Sequence, residues 1–429
     1  MTSPENGAAG SGGLWADPDF VRFWLARQVS IAGSLVTALA LPVLIYLVSG
    51  SAPLTALVAV LEGLPWLLFG LVAGAISDRV NRRRLMVGAD VANILVVGSV
   101  PLAYAADRLT LAHVLIAAFA AQAIFVFFDA GALGALPALV GRNRIGQANA
   151  AIWGFGGLLD LLVPMAVGVA LAVVNPAVLL AVDALSFLVS AGLVVGIRRP
   201  LTGERVRTPL RAGRLVAEVR AGLAFLGSHG VVRTQTLIGM LQSFGGAGFM
   251  ALAVPYADRL LGVGTSGWRF GMLFAAWGVG GILAAFLVGA GLRRWSSAWV
   301  TLVALPVSAV AGIVVVRSSS WLVAISVMVA WGISYQAVII ASVTNRQEAT
   351  PEPLLGRVNT VGRMLSFGVG WTGGALVAGA LAAQIGLRPA MTTVVAAISV
   401  AAIYAWLSPL RKAERVRLGA GSMTEQSPA

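Results

Sequence analysis

Long apolar runs separated by short polar connections make up most of the chain. A run of about 20 residues, at ~1.5 Å rise per residue, crosses a hydrocarbon core ~30 Å thick. Runs of this kind predict spans at roughly 22–48, 54–77, 85–106, 110–131, 149–173 and 176–197, then 233–257, 267–290, 299–316, 321–343, 359–384 and 389–408. The polar stretch between the sixth and seventh runs predicts an amphipathic helix. There Ala212, Leu215, Val216, Val219, Leu223 and Leu226 share one face, and Arg211, Arg214 and Glu218 lie on another. Such a helix lies on the membrane surface or against the bundle. The predicted organisation is a tail (1–21), a six-helix bundle (22–197), a linker (198–232), a second six-helix bundle (233–408) and a second tail (409–429). The expected fold class is an all-α polytopic membrane protein.

With 58% hydrophobic and 11% charged residues, the composition is far from that of a soluble globular domain. A net charge of +13 in a soluble protein would suggest nucleic acid. Here the basic residues lie between apolar runs, so they report topology and no nucleic-acid partner is expected. Arg79, Arg82, Arg83, Arg84, Arg142, Arg144, Arg198, Arg199, Arg293, Arg294, Arg346, Arg357, Arg411 and Lys412 fall on one side, against Arg108, Arg259, Arg269, Arg317 and Arg388 on the other. That bias places both termini in the cytoplasm. Residues 1–19 hold no Lys or Arg, so no cleavable signal is expected. Lys412 is the one lysine, an arginine bias that fits a GC-rich bacterial coding sequence, and a multi-pass protein of the bacterial inner membrane is expected. The chain has no cysteine, and only His113 and His229 as imidazoles, so neither a metal nor another cofactor is expected.

Between the second and third runs lies Gly74-Ala-Ile-Ser-Asp78-Arg79-Val-Asn-Arg82-Arg83-Arg84, in which Asp78 and Arg82 have i,i+4 spacing. Its pattern, Gly-x-x-x-Asp-Arg-x-x-Arg-Arg, resembles the signature loop between helices 2 and 3 of the major facilitator superfamily. Internal repetition agrees with two facing halves. Gly74-x-x-x-Asp78-Arg79 is echoed by Gly289-x-x-x-Arg293-Arg294, and Gly146-Gln-Ala-Asn149 by Gly356-Arg-Val-Asn359. Leu64-Pro65, Asp90, Leu136-Pro137, Asp183-Ala-Leu-Ser186-Phe187 and Leu355-Gly356-Arg357-Val358 are similar to the branch containing enterobactin exporters and macrolide-efflux proteins.

The resemblance implies twelve helices in two six-helix pseudo-symmetric halves and an alternating-access exporter of small amphipathic molecules (drugs, macrolides or siderophores), coupled to proton influx and working as a monomer in the bilayer. An importer of a small nutrient or a lipid flippase is the alternative within the fold. A membrane enzyme would need a catalytic or phosphate-binding cluster, and the sequence shows none. The resemblance also implies a latch. Gly74 would let span 2 approach span 11, Asp78 would meet the start of span 11 near Gly356 and Asn359, and Arg82 or Arg83 would reach Asp129 or Asp90. Two stretches depart from related exporters: span 5 reads Val163-Pro164-Met-Ala-Val167-Gly168, and span 1 reads Ser30-Ile-Ala-Gly33-Ser34 without a following acid.

Five carboxylates fall inside spans, all in the first half: Glu62, Asp90, Asp129, Asp160 and Asp183. A charge near the bilayer centre costs at least ~2.5 kcal/mol, so each should face the interior, a partner or water. Asp160 lies nearest the midplane, before Pro164, and is the leading candidate for proton or cationic-substrate coupling, followed by Asp183 and Glu62. A carboxylate in a partly dehydrated cavity can load and release a proton near neutral pH. The plainer reading is a buried acid satisfied by its neighbours. Asp90, Asp129, Arg27, Arg357 and Arg363 read as structural or gating charges, with Arg27 and Arg363 pairing with a carboxylate or snorkelling. Gln28, Ser34, Gln242, Tyr335 and Gln336 lie on spans that, by the resemblance, line the cavity; they could equally join helices.

Overall fold

A computed structural model describes residues 13–202, 212–291 and 295–411. Several helices start where a polar side chain takes up free amides. Asp17 accepts from the Asp19 amide at 3.1 Å and opens α1 (Pro18–Ser49), which ends at Gly50 in the left-handed region. Ser51 caps α2 (Ala52–Ser77), Asn81 caps α3 (Arg82–Ala105) and Thr110 caps α4 (Leu111–Val140). Then follow α5 (Ile145–Ala170), α6 (Pro176–Val195) and the linker helix α7 (Ala212–Ser228).

In the second half, α8 (Gly230–Ala251) bends by 54° into α9 (Ala253–Pro255) and a π-turn through Leu260. After α10 (Trp268–Gly291), α11 (Ser297–Arg317) and α12 (Trp321–Ala349), the eleventh span is built in three pieces. These are α13 (Glu352–Arg363), a π-helical segment Met364–Trp371, and α14 (Thr372–Ile385); α15 (Leu387–Leu407) closes the bundle. Eleven of the described helices are long and apolar enough to cross a membrane, and twelve when the bent pair counts as one span. Leu95, Leu102, Ile116, Phe286, Val310 and Ile403 are among the large apolar side chains that face outward, as lipid contact requires.

Several helices run well past the apolar stretches that predicted them. The fourth was expected to end near residue 131, yet α4 continues to Val140. The extension is held by an apolar cluster in which Leu136 and Leu139 pack with Phe20, Phe23 and Ile197. The bundle end carrying α7 and the loop Asp78–Asn81 is here named the α7 face, and the other end the far face.

The linker helix packs on the second half, with Leu226 buried among Val232, Val358 and Val361. A Cβ on Gly222 would lie 3.0 Å from the Arg357 carbonyl, so Gly222 lets the two backbones approach. That approach turns Leu223 outward, against its predicted place on the packed face. Arg211, the side chains of Ala212, Arg214, Leu215, Val216 and Glu218, the echo residues Arg293 and Arg294, and most of both tails lie outside the described residues.

Between the halves, α2 runs along the π-segment and α14, and α5 along α10. Gly168 and Gly271 make the α5–α10 crossing possible near the far face. A Cβ on Gly168 would lie 2.5 Å from the Gly271 Cα, and the Gly267 amide donates to the Gly168 carbonyl at 2.6 Å.

Candidate functional site

A cavity of about 350 Å³ opens inside the first half. Its walls are Ser34, Thr37 and Leu41 of α1, Glu62 and Trp66 of α2, Asn93 of α3, Gln122 and Phe125 of α4, and Asp183 and Phe187 of α6. The second half contributes Phe367 and Trp371 from its π-segment. Gly63 admits them: a Cβ there would come 2.9 Å from the Trp371 ring. The aromatic walls suit an apolar ligand body, while two carboxylates and two amides supply orientation.

Asp183 is buried and accepts hydrogen bonds from Thr37 Oγ1 at 2.5 Å and Ser186 Oγ at 3.1 Å. Glu62, across the cavity, has no hydrogen-bond or ion-pair partner among the described residues. Asp160, first in rank from its depth along the helix, stands apart. It is exposed on α5 beside α10, has no described partner and does not line this cavity. Depth set its height in the membrane, but the direction in which its side chain points is set by helix packing. There the backbones are so close that a Cβ on Gly278 would sit 2.5 Å from the Asp160 carbonyl oxygen.

Asp129 lies between two arginines. Arg27 Nη2 donates to Oδ1 at 3.1 Å with both groups buried, and Arg363 Nη2 reaches Oδ2 at 3.5 Å from the second half. The Arg363 guanidinium also lies 4.8 Å from the Trp66 ring centroid. One carboxylate therefore serves both intramembrane cations. Asp90 is buried too, and its Oδ2 has no partner.

Of the polar residues expected on cavity walls, only Ser34 lines this one. Gln28 Nε2 donates to the Ile152 carbonyl at 3.2 Å, and Gln242 Nε2 to the Tyr335 carbonyl at 2.9 Å. Tyr335 is buried, its ring 4.9 Å from that of Trp277, and Gln336 sits opposite Gly281. Close helix packing turns the Gln28 and Gln242 amide N–H groups onto neighbouring backbone carbonyls and away from this cavity.

The signature loop also departs from expectation. Asp78 pairs with Arg82 at 3.1 Å, the partner its spacing allows. The Arg82 amide donates to Thr202 Oγ1 at 3.1 Å, Arg83 Nη2 to the Arg199 carbonyl at 2.8 Å, and Arg79 Nη1 to the Ala75 carbonyl at 2.5 Å. Neither Arg82 nor Arg83 pairs with Asp129 or Asp90, because Arg82 lies across α4 at Gly134 on its way to Asp78. A Cβ on Gly74 would meet nothing within 4 Å; α2 and span 11 approach at Gly368 instead, where it would lie 3.0 Å from Leu67 Cβ. Asn359, expected near Asp78, accepts from Arg346 Nε at 3.1 Å. Arg346 is buried, although its place in the sequence suggested a loop charge; Arg357 is exposed.

The far face carries a clamp that sequence reading missed. Tyr46 Oη donates to Asp258 Oδ2 at 2.7 Å and accepts from Arg259 Nε at 2.8 Å, while Arg259 Nη2 donates to the Gly50 carbonyl at 2.6 Å. With the Gly168–Gly271 crossing, this joins the two halves at the far face. Toward the α7 face, Arg363–Asp129 links them.

A family model described as transmembrane secretion effector matches residues 15–427. Macrolide efflux protein A of Streptococcus pyogenes is 26% identical over 227 residues, which cover 52% of this chain and 55% of that protein. The match thus spans about half the length of the curated relative. Among solved structures, a bacterial homologue of the human lysosomal transporter Spinster, in an inward-facing and unoccupied conformation, superposes with a TM-score of 0.68 at 18% identity, covering 93% of this chain and 97% of the other. A variant of the nucleoside transporter NupG gives 0.73 at 10% identity, with 91% and 99% covered. At these identities the structural likenesses show the fold.

Proposed function

Because the chain belongs to the transmembrane secretion effector family of the major facilitator superfamily, we propose that this multi-pass transporter exports small amphipathic molecules in exchange for protons. The observation that carries this reading is the cavity, where the rings of Trp66, Phe125, Phe187, Phe367 and Trp371 surround Glu62 and Asp183, and no arginine lines the wall. At about 25 cal/mol per Å² of apolar surface removed from water, such walls favour a greasy ligand of compact size. Glu62, with no competing partner, takes either a proton or the charged nitrogen of a substrate. Binding of one then opposes binding of the other, which is the linkage an exchanger needs.

The arginine bias and the far-face clamp support a bacterial inner-membrane protein with cytoplasmic termini, held open toward the cytoplasm and working as a single chain. The efflux relative supports export and a macrolide-like substrate. Coupling is assigned to Glu62 and Asp183 in preference to Asp160, because they share the cavity. Flux in proteoliposomes, with and without an imposed pH gradient and screened over cationic dyes, macrolides and siderophores, tests this. Glu62→Gln is expected to abolish gradient-driven flux and Asp160→Asn to leave it. Flux of every compound unaffected by the gradient would refute the coupling.

A further inference from the structure

Three polar stripes face one another inside the first half. On α1 they are Arg27, Ser30, Ser34 and Thr37; on α3, Asp90 and Asn93; on α6, Asp183, Ser186 and Ser190. At 3.6 residues per turn each set falls within an arc of about 80°, and the α1 stripe rises about 15 Å along the helix axis. The three helices are packed together, α6 against both α1 and α3. Asp183 and Ser186 also lie directly on Gly33 of α1.

The seam is dry on its flanks and unsatisfied at its centre. Asp90, Asn93, Ser30 and Ser190 are each at most 2% exposed. Asn93 Oδ1 and Ser30 Oγ nevertheless lack hydrogen-bond partners among the described residues, and the Ser190 hydroxyl lies beside the Asp90 carboxylate. Leaving a buried polar atom unpaired costs on the order of 1–3 kcal/mol, so helix joining alone is a poor reason for such atoms to gather on one seam. The upper end of the seam reaches the cavity, since Asn93 and Asp183 both line it. Its lower end reaches the Arg27–Asp129 pair. The charged groups facing Asp90 are Arg27 on α1 and Asp183 on α6, with the Ser190 hydroxyl beside it. Asp183 meets Thr37 and Ser186, with Glu62 across the cavity.

We propose that this seam is a proton path through the interior of the first half, carrying protons from Asp183 in the cavity through Asp90 to the Arg27–Asp129 pair near the α7 face. The proton released as the carboxyl O–H of Asp183 breaks is accepted by the Ser186 hydroxyl, which gives its own proton to water bridging the unpaired oxygens of Ser30 and Asn93, and that water gives one to Asp90. Asp90 takes up one proton and passes one to water at the Arg27–Asp129 end. Serine hydroxyls suit the intermediate steps because each both donates and accepts. One proton enters, one leaves, and no other reactant is needed. The proposal rests on the proton-coupled reading above, and it gives the proton its own exit from the shared cavity toward the α7 face.

The test uses the full chain in proteoliposomes with a radiolabelled macrolide as probe. Accumulation driven by an imposed pH gradient is compared with exchange of labelled for unlabelled macrolide at equal pH. Asp90→Asn is expected to cut gradient-driven accumulation by about a hundredfold, the scale of a lost proton-transfer group, and to leave exchange intact. Asp90→Glu should restore the drive. Ser190→Ala, a smaller perturbation should Asp90→Asn fail to fold, should slow the driven phase with exchange unchanged. Variants that accumulate macrolide as the wild type does would overturn the path while leaving proton coupling in place. A wild type whose macrolide flux ignores the gradient would overturn the coupling and the path with it. If the wild type carries no macrolide, infrared pH-difference spectra decide: a titrating carboxyl C=O band absent from Asp90→Asn supports the path, and identical spectra overturn it.

Discussion

Replacing Tyr46 by Phe tests the far-face clamp with the smallest available change. The ring and its packing stay, and one oxygen is lost. With it go a hydrogen bond of 2.7 Å to the Asp258 carboxylate and one of 2.8 Å from Arg259. Hydrogen bonds to charged groups contribute about 1.5–3 kcal/mol each when both partners stay buried. Here Tyr46 is buried, but Arg259 is exposed and Asp258 partly so. Both released charges regain water, and Arg259 keeps its bond to the Gly50 carbonyl. A net loss of about 1–2 kcal/mol therefore remains, which at ~1.4 kcal/mol per tenfold raises the population open at the far face by about 5- to 30-fold. The chain has no cysteine, so a single introduced thiol reports on this directly. Ala52, at the start of α2, is 4% exposed within a cluster that joins the halves. An impermeant thiol reagent should label Ala52→Cys faster in the Tyr46→Phe background by that factor. An unchanged rate, with both proteins folded, would show that these bonds do not hold the halves together.

Gly168→Ala should act the same way, since its Cβ would lie 2.5 Å from the Gly271 Cα; a cost of about 1–3 kcal/mol should appear as faster labelling of Ala52→Cys. Asp129→Asn leaves Arg27 buried and unpaired and should lower stability by about 3–5 kcal/mol, read as a lower Tm in detergent. Arg363→Ala should cost only about 0–1 kcal/mol in the same assay, because that side chain is 43% exposed. For topology, Ser318→Cys at the far face should react with an impermeant maleimide on intact cells, and Arg83→Cys only after permeabilisation.

The apolar runs were long enough to reveal the spans, and i,i+4 spacing identified Asp78–Arg82 because both groups lie on one local turn. Depth counting placed Arg27, Asp90 and Asp129 at similar heights, but it could not show that Asp129 would sit between two arginines, one of them 234 residues away. The same method could not show that Asp160 lies outside the cavity, because height along a helix says nothing about which neighbour its face meets. The periodicity of Arg27, Ser30, Ser34 and Thr37 was available in the sequence and would have pointed to the seam. The Tyr46–Arg259 clamp had no such signal: its members are 213 residues apart and meet only because α8 bends into α9.

The two ends of the interface are built differently, and the difference bears on how the halves exchange. At the far face, several short hydrogen bonds and a backbone crossing must all break before the halves separate. Toward the α7 face, the Arg363 contact is long and half-exposed, and its carboxylate has a second partner. When Arg363 leaves, Arg27 still holds Asp129 at 3.1 Å, so no buried charge is stranded during the movement. A shared acceptor of this kind keeps the cost of making and breaking the contact small. The far-face contacts, where Tyr46 and the Gly168–Gly271 crossing lie, weigh on the balance between the two states. In the proton-coupled reading, loading of Asp183 near the base of the cavity must act on that balance, and the seam allows the proton to leave without reopening the far face.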